Sequence, residues 1–160
     1  MILTIREAHP FDLSGFERLF NLIEKLHREN LPSRFRQPLP EYASTLLSET
    51  LADAKSKLLF ADLQGRLVGF VLLMEKSLVS HPTLIPAKFI SVEMLAVDPE
   101  VRRKGIGKEL MSHAEAFARA KGFPELELNV WHFNQAAEDF YARLGYKTVR
   151  TFLTKVFATS

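Results

Sequence analysis

Residues 90–110 read ISVEMLAVDPEVRRKGIGKEL, which predicts a strand, a basic glycine-containing turn and a helix in direct succession. The strand half, Phe89 to Val97, is mostly apolar with Glu93 set into it. Asp98-Pro99 stops it, because proline has no N–H with which to continue a ladder. Arg102, Arg103 and Lys104 follow, with Gly105 and Gly107, and then Ile106, Leu110, Ala114, Phe117 and Ala118 recur at the three- and four-residue spacing of a helix face. A helix start leaves N–H groups without intrahelical acceptors and carries partial positive charge, so this turn suits a phosphate. The other reading is a surface turn with solvated charge.

Two phosphate motifs do not fit. A P-loop ending at Gly107-Lys108 needs serine or threonine at Glu109 and glycine at Arg102; a dinucleotide fingerprint starting at Gly105 needs its third glycine at Leu110. What remains, Arg102-x-x-Gly105-x-Gly107 directly after a strand, resembles the pyrophosphate loop of the GNAT superfamily of acetyl-CoA-dependent N-acetyltransferases. The resemblance implies an α/β fold, a mixed central sheet flanked by helices, in which Arg102, Arg103, Lys104, Gly105, Ile106, Gly107 and Lys108 cradle the pyrophosphate of acetyl-CoA. Arg103 departs from the commonest family pattern, where glycine is frequent at that position. The resemblance also implies backbone donors from Leu95, Ala96 and Val97 for the thioester carbonyl, where the family splays two strands apart.

Residues 134–145, NQAAEDFYARLG, are similar to the family's second signature. There an asparagine, here Asn134, contacts the cofactor, and a tyrosine, here Tyr141, sits at the thioester sulfur. Spacing agrees independently: seven residues at about 100° each return Tyr141 to nearly the azimuth of Asn134, about 10 Å along the axis. The plainer readings are a helix N-cap for Asn134 and a half-buried packing tyrosine for Tyr141.

The chain has 160 residues, 47% of them hydrophobic and 25% charged, which suits a single domain over residues 1–160 with a full core. The formal charge is only +2, with no basic block outside the turn and no aromatic–basic interleaving, so no nucleic-acid partner is expected. There is no cysteine, hence no disulfide, thiolate metal site or cysteine nucleophile, and acyl transfer is expected to be direct. The N-terminus lacks a basic segment followed by a long apolar run, and the longest apolar run, Leu67 to Met74, is far short of a membrane span. A cytoplasmic protein with no membrane association is the expectation.

Alternation over Ile2 to Glu7 predicts the first strand, and Asp12 caps a helix to about Asn30 with Phe16, Leu19, Phe20, Ile23 and Leu26 inward. His27, near its end, reads as solvated. Pro32, Pro38 and Pro40 make residues 30–41 an irregular linker, and Tyr42 to Leu51 predicts a second helix with Tyr42, Leu46 and Leu47 inward. Lys57–Asp62 and Arg66–Leu78 read as a hairpin around Gly65, and residues 80–87 as a loop. Leu126 to Trp131 predicts another strand, Asn134 to Leu144 a short helix, and Tyr146 to Phe157 a last strand. The order β-α-α-β-β-β-α-β-α-β matches the GNAT fold.

Acetyl transfer needs a neutral amine, and a lysine-like amine with pKa about 10.4 is almost wholly protonated at neutral pH. Glu93 is the candidate base, acting through water or with a pKa raised by burial; the alternative is an ion pair with Arg102 or Lys88. His132, after the next strand, is the rival. His9, His81 and His113 form no metal-ligand spacing, so no metal is expected. The resemblance places the acceptor amine, whether on a small molecule, a peptide N-terminus or a lysine side chain, near residues 30–42 and 80–87, where Arg34 and Arg36 either meet a carboxylate or face solvent. Dimers are common in the family, so a homodimer stays open. A non-catalytic acyl-CoA-binding or sensor domain is the alternative function.

Overall fold

The computed structural model describes residues 2–158, which fall in two compact units divided between Asn129 and Val130. The first unit carries β1 (Leu3–Glu7), α1 (Leu13–Asn30), α2 (Tyr42–Ala52), β2 (Ser56–Leu63), β3 (Arg66–Leu78), β4 (Ala87–Val97), α3 (Ile106–Ala120) and β5 (Leu126–Leu128). The strands form one sheet in the order β1-β2-β3-β4-β5. β1 to β4 run antiparallel to their neighbours, and β4–β5 is the one parallel pair among the described residues, so the sheet is mixed as expected.

Helices cover both faces. On one side Phe16, Leu19 and Phe20 of α1 and Ala43 and Leu47 of α2 pack on Leu58, Phe60, Phe70, Leu72 and Ala96, with the Phe16 ring edge-on to Phe60 and Phe70 at centroid distances of 6.1 and 5.1 Å. Strand alternation turns Val71 and Leu73 to the opposite face. There α3 buries Ile106, Leu110, Met111, Ala114 and Ala118. α3 lies close because β3 has Gly69 beneath it: a Cβ there would sit 3.2 Å from a Leu110 methyl and 2.7 Å from the Ala96 carbonyl oxygen. The β2–β3 hairpin closes through Gln64 and Gly65, both at positive φ (55° and 86°), the two-residue turn whose twist matches paired strands.

Several expectations are corrected. Asp12 holds the N-cap position of α1 but makes no capping hydrogen bond, because its carboxylate accepts from Arg6 (2.8 and 2.9 Å) and the His9 N–H (2.7 Å) instead. Tyr42 is exposed rather than inward, since Ala43 and Leu47 take the buried face of α2. His27 is largely covered, stacked on Phe35 at 4.7 Å from the irregular linker, which no short-range pattern reveals. β5 spans three residues, not six, and ends at Leu128.

The second unit carries α4 (Gln135–Arg143) and, after Gly145, a segment with no regular secondary structure among the described residues. The strand expected over residues 146–157 does not form, because residues 147–158 pair with no strand among the described residues. β propensity supplies a strand-forming segment, but a strand exists only against a partner.

Candidate acyl-transfer site

The turn after β4 is held from below by Asp98. Its side chain is 3% exposed, and it accepts from Arg18 of α1 (2.6 Å), Arg66 of β3 (2.9 Å) and the Glu100 N–H (3.1 Å), while its own N–H donates to the Val68 carbonyl (2.8 Å). One carboxylate therefore ties a helix and a strand to the residue where the turn begins. Burial works to raise the Asp98 pKa, but the backbone donor and two guanidiniums outweigh it and leave the carboxyl below its ordinary value. From the sequence Asp98 reads only as a strand stop; its partners lie 80 and 32 residues away, out of reach of any local pattern. Asp98→Asn should cost about 2 kcal/mol at neutral pH, the worth of charge-assisted bonds partly screened by solvent. Because the folded pKa is depressed, this contribution is present above the unfolded value near 3.9 and disappears as pH falls through the folded one. Thermal melts of both proteins from pH 7 downward should therefore converge in acid.

Above that anchor the backbone turns sharply. Arg103 has φ 63° and Gly105 φ 82°, so two left-handed residues wrap the turn before α3 begins at Ile106. An L-residue at this φ bears about 1–2 kcal/mol of local strain. Gly105 is the N-cap and offers no side-chain oxygen, and the first α3 bond is from the Glu109 N–H to the Gly105 carbonyl at 3.0 Å. The N–H groups of Ile106, Gly107 and Lys108 are left without an acceptor among the described residues. Arg103, Lys104 and Lys108 are exposed around them, while Arg102 reaches back to the Val97 carbonyl at 3.3 Å. Three donors without acceptors, the helix dipole and flanking cations are the chemistry that suits an anion.

β4 supplies the second set of donors. Among the described residues β5 pairs only with Ile90 to Val92, and no strand pairs with the β5 side of β4 from Glu93 onward. The Asp98 N–H bond to Val68 fixes the phase: Ala96 and Met94 direct backbone groups toward β3, leaving the N–H groups of Leu95 and Val97 on the open edge. The Ala96 N–H is thus committed to the sheet, and its side chain lies in the core.

Glu93 occupies a β-bulge. Leu72 opposes Met94 and Leu73 opposes Val92, which leaves Glu93 with no residue across from it and breaks the strand's alternation there. Its side chain is 31% exposed, and its carboxylate meets the Lys76 ammonium at 2.6 Å. The ion pair exists, but with Lys76 rather than Arg102 or Lys88. Burial pushes the Glu93 pKa up, and hydrogen bonds from Lys76 and Ser91 push it down further, so it ends below the ordinary carboxylate value. The expected rise by burial is corrected; a base role for Glu93 would have to run through water.

In the second unit, the Asn134 side-chain oxygen accepts from the Ala137 N–H at 3.1 Å, making it the N-cap of α4 and leaving its NH2 group to donate elsewhere. Tyr141 is half-buried, edge-on to Phe140 and Tyr146 at 5.1 and 5.7 Å, and burial pushes its hydroxyl pKa up to about 12. His132 is 99% exposed and lies 3.5 Å from Glu138, a solvated histidine. Among the described residues no group of three or more His, Asp or Glu could hold a metal, and no helix is long and apolar enough to cross a membrane.

A sequence model of the acetyltransferase (GNAT) family matches residues 17–146, a stretch that runs from the first unit into the second. The chain belongs to the GNAT family. It is 29% identical over 153 residues to the uncharacterized N-acetyltransferase YhfO of Bacillus subtilis, covering 91% of this chain and 90% of that protein. It is 32% identical over 117 residues to the peptidyl-lysine N-acetyltransferase YjaB of Salmonella typhimurium, covering 73% of this chain and 64% of that one. Its fold is shared with a mutant of the BH1408 protein from Bacillus halodurans, with TM-score 0.92 and 24% identity over 99% of this chain and 100% of that one. The aminoglycoside N-acetyltransferase AAC(6')-Iy in complex with CoA also shares it, with TM-score 0.74 and 15% identity over 98% of this chain and 100% of that one. This GNAT chain is accordingly an acyltransferase.

Proposed function

We propose that the protein moves an acetyl group from acetyl-CoA to a primary amine by direct attack, and that its two units act as one GNAT domain. The observation that carries this reading is the pairing of two unsatisfied donor sets at one strand end, the α3 N-terminus and the open edge of β4. Bound acetyl-CoA supplies an activated acetyl group as a thioester. The N–H groups of Ile106, Gly107 and Lys108, with Arg102, Arg103, Lys104 and the NH2 of Asn134, hold the phosphate and pantetheine portions. The N–H groups of Leu95 and Val97 donate to the thioester carbonyl oxygen, where negative charge develops as nitrogen attacks. Glu93, always ionised at neutral pH, orients a water that takes the proton from the amine. Tyr141 donates a hydrogen bond to the departing sulfur.

The acceptor's chemistry is a primary amine; YjaB is a peptidyl-lysine acetyltransferase and AAC(6')-Iy an aminoglycoside acetyltransferase, so a side-chain or small-molecule amine both lie within the family's reach. The direct test is a panel of polyamines, aminoglycosides, amino acids and lysine peptides, assayed by thiol release from acetyl-CoA. At least one should give turnover, and Glu93→Gln should lower it about tenfold, below the 10² typical of a general base because a low-pKa carboxylate takes protons weakly. That loss should shrink at high pH, where more amine is already neutral. Acetyl-CoA binding with no turnover across the panel, and none with hydroxyl acceptors, would instead support a sensor domain.

A further inference from the structure

We propose, on the acetyl-transfer reading above, that the acceptor is a small amino acid, and that Lys76 selects it by binding its carboxylate while its amine faces Glu93. Lys76 follows Leu72 and Met74 at alternate positions of β3, so strand alternation puts it on the face of the sheet that α1 and α2 cover. It pairs across the strands with Phe89, and Met74 pairs with Ser91 nearer the bulge. The Lys76 and Glu93 side chains therefore reach toward each other along the sheet, over Met74 and Ser91, and meet at 2.6 Å. Lys76 makes no other ion pair among the described residues, which leaves ammonium N–H groups to donate to a ligand.

An amine that loses its proton through a water on Glu93 lies two hydrogen bonds from that carboxylate, roughly 5 Å, and so beside the Lys76 ammonium. A zwitterion fits both partners: its ammonium is drawn to Glu93 and its carboxylate to Lys76, so one internal ion pair is exchanged for two. A second ammonium near the reacting nitrogen, as in a polyamine or aminoglycoside, is repelled there, and a lysine side chain offers Lys76 nothing anionic. The surrounding charge has the same sign. From Arg18, held at Asp98, to its end at Asn30 α1 rises about 18 Å, and β4 covers about 16 Å from Asp98 back to Glu93. The chain thus leaves α1 near the level of Glu93 and on the same face. Residues 31–40, which follow, hold Arg34 and Arg36 and no acidic residue; residues 76–92 hold Lys76 and Lys88 and likewise none. Arg34, Arg36 and Lys88 form no ion pair among the described residues, so their charge is not cancelled locally and favours an anionic acceptor.

The test measures thiol release from acetyl-CoA with matched acceptors: the common amino acids, β-alanine and γ-aminobutyrate, each against its carboxamide, with rates expressed per neutral amine. The carboxamide keeps the size and removes the charge. At least one acid should exceed its carboxamide in kcat/KM by about tenfold, a modest figure for a charge-assisted contact because Lys76 is 42% exposed. Lys76→Met should bring that ratio close to one, mainly through the KM of the acid, and Lys76→Arg should keep most of it. A change in Glu93 basicity or a structural loss moves both rates alike and cancels in the ratio. An unchanged ratio in folded Lys76→Met overturns the proposal, as does a wild type that prefers carboxamides, polyamines, aminoglycosides or lysine peptides to every acid. Calorimetric titration of the same acids into the protein with CoA present needs no turnover, and Lys76→Met should weaken binding about tenfold. Acid binding without thiol release from any amine would overturn the transfer reading, and the acceptor role with it, while leaving Lys76 a carboxylate ligand. Thiol release from another amine with no acid bound would overturn this proposal alone.

Discussion

Gly107→Val should abolish measurable acetyl-CoA binding while raising, or leaving unchanged, the melting temperature. The two glycines of the turn are glycine for different reasons. Gly105 has φ 82° and open space around it, so its backbone conformation alone requires glycine. Gly107 lies inside α3, is absent from the positive-φ positions, and so has no conformational need to lack a side chain. A glycine within a helix costs about 1 kcal/mol relative to alanine, and valine is the better helix former of the two. A destabilising position at the helix N-terminus, beside three unpaired N–H groups, is explained if a ligand comes into contact with the backbone there. Two γ-methyls on a β-branched residue would fill that approach, and losing the donors to a polyphosphate removes several charge-assisted bonds together. Calorimetric titration with acetyl-CoA should show affinity reduced at least about 100-fold, equivalent to about 2.7 kcal/mol. Gly107→Ala should fall between. Wild-type affinity in a folded Gly107→Val protein would remove the phosphate-cradle reading and return Arg102 to Lys104 to a solvated turn.

What could be read from the sequence follows the range of the interactions involved. The β4–turn–α3 passage was legible because every determinant is local: a proline stop, cations, two glycines and a helix period within 21 residues. The layered core was legible from periodicity, since Phe16, Phe20 and Leu47 recur at helical spacing and do lie buried. Glu93 stands out in the sequence as a carboxylate in an apolar strand, but its environment was not legible. That depends on the β3–β4 register, on the bulge that sets Glu93 apart from Leu72 and Leu73, and on Lys76, a residue of β3 that pairs with Phe89 rather than with Glu93. Asp98 shows the same limit, because Arg18 and Arg66 meet it only after the chain has folded. The 146–157 expectation failed differently. The residues are strand formers, but pairing is a property of two segments, and the sequence of one cannot name the other.

Tyr141→Phe should lower turnover about 10- to 100-fold with acetyl-CoA affinity and melting temperature little changed. The pKa of about 12 decides what the hydroxyl can do. A leaving thiol has a pKa of about 8.5, so complete proton transfer from Tyr141 would be uphill by about 3.5 units, or close to 5 kcal/mol. In the proposed reaction Tyr141 therefore keeps its proton and acts as a hydrogen-bond donor, and the sulfur takes its proton from water. A hydrogen bond to a charged acceptor is worth about 1.5–3 kcal/mol, which sets the size of the predicted loss. The same pKa gives the loss a signature. Burial raises it by favouring the neutral hydroxyl, so the donor is fully present below the unfolded value near 10 and titrates only as pH approaches 12. The ratio of wild-type to Tyr141→Phe rates should thus stay flat from about pH 6 to pH 10, whereas the deficit of Glu93→Gln shrinks over the same range. The ring is kept in the phenylalanine variant, so its edge-on contacts with Phe140 and Tyr146 persist and the fold is unaffected. Wild-type turnover in Tyr141→Phe, on an amine for which chemistry limits the rate, would leave Tyr141 as a packing residue of α4 and move stabilisation of the departing sulfur to solvent.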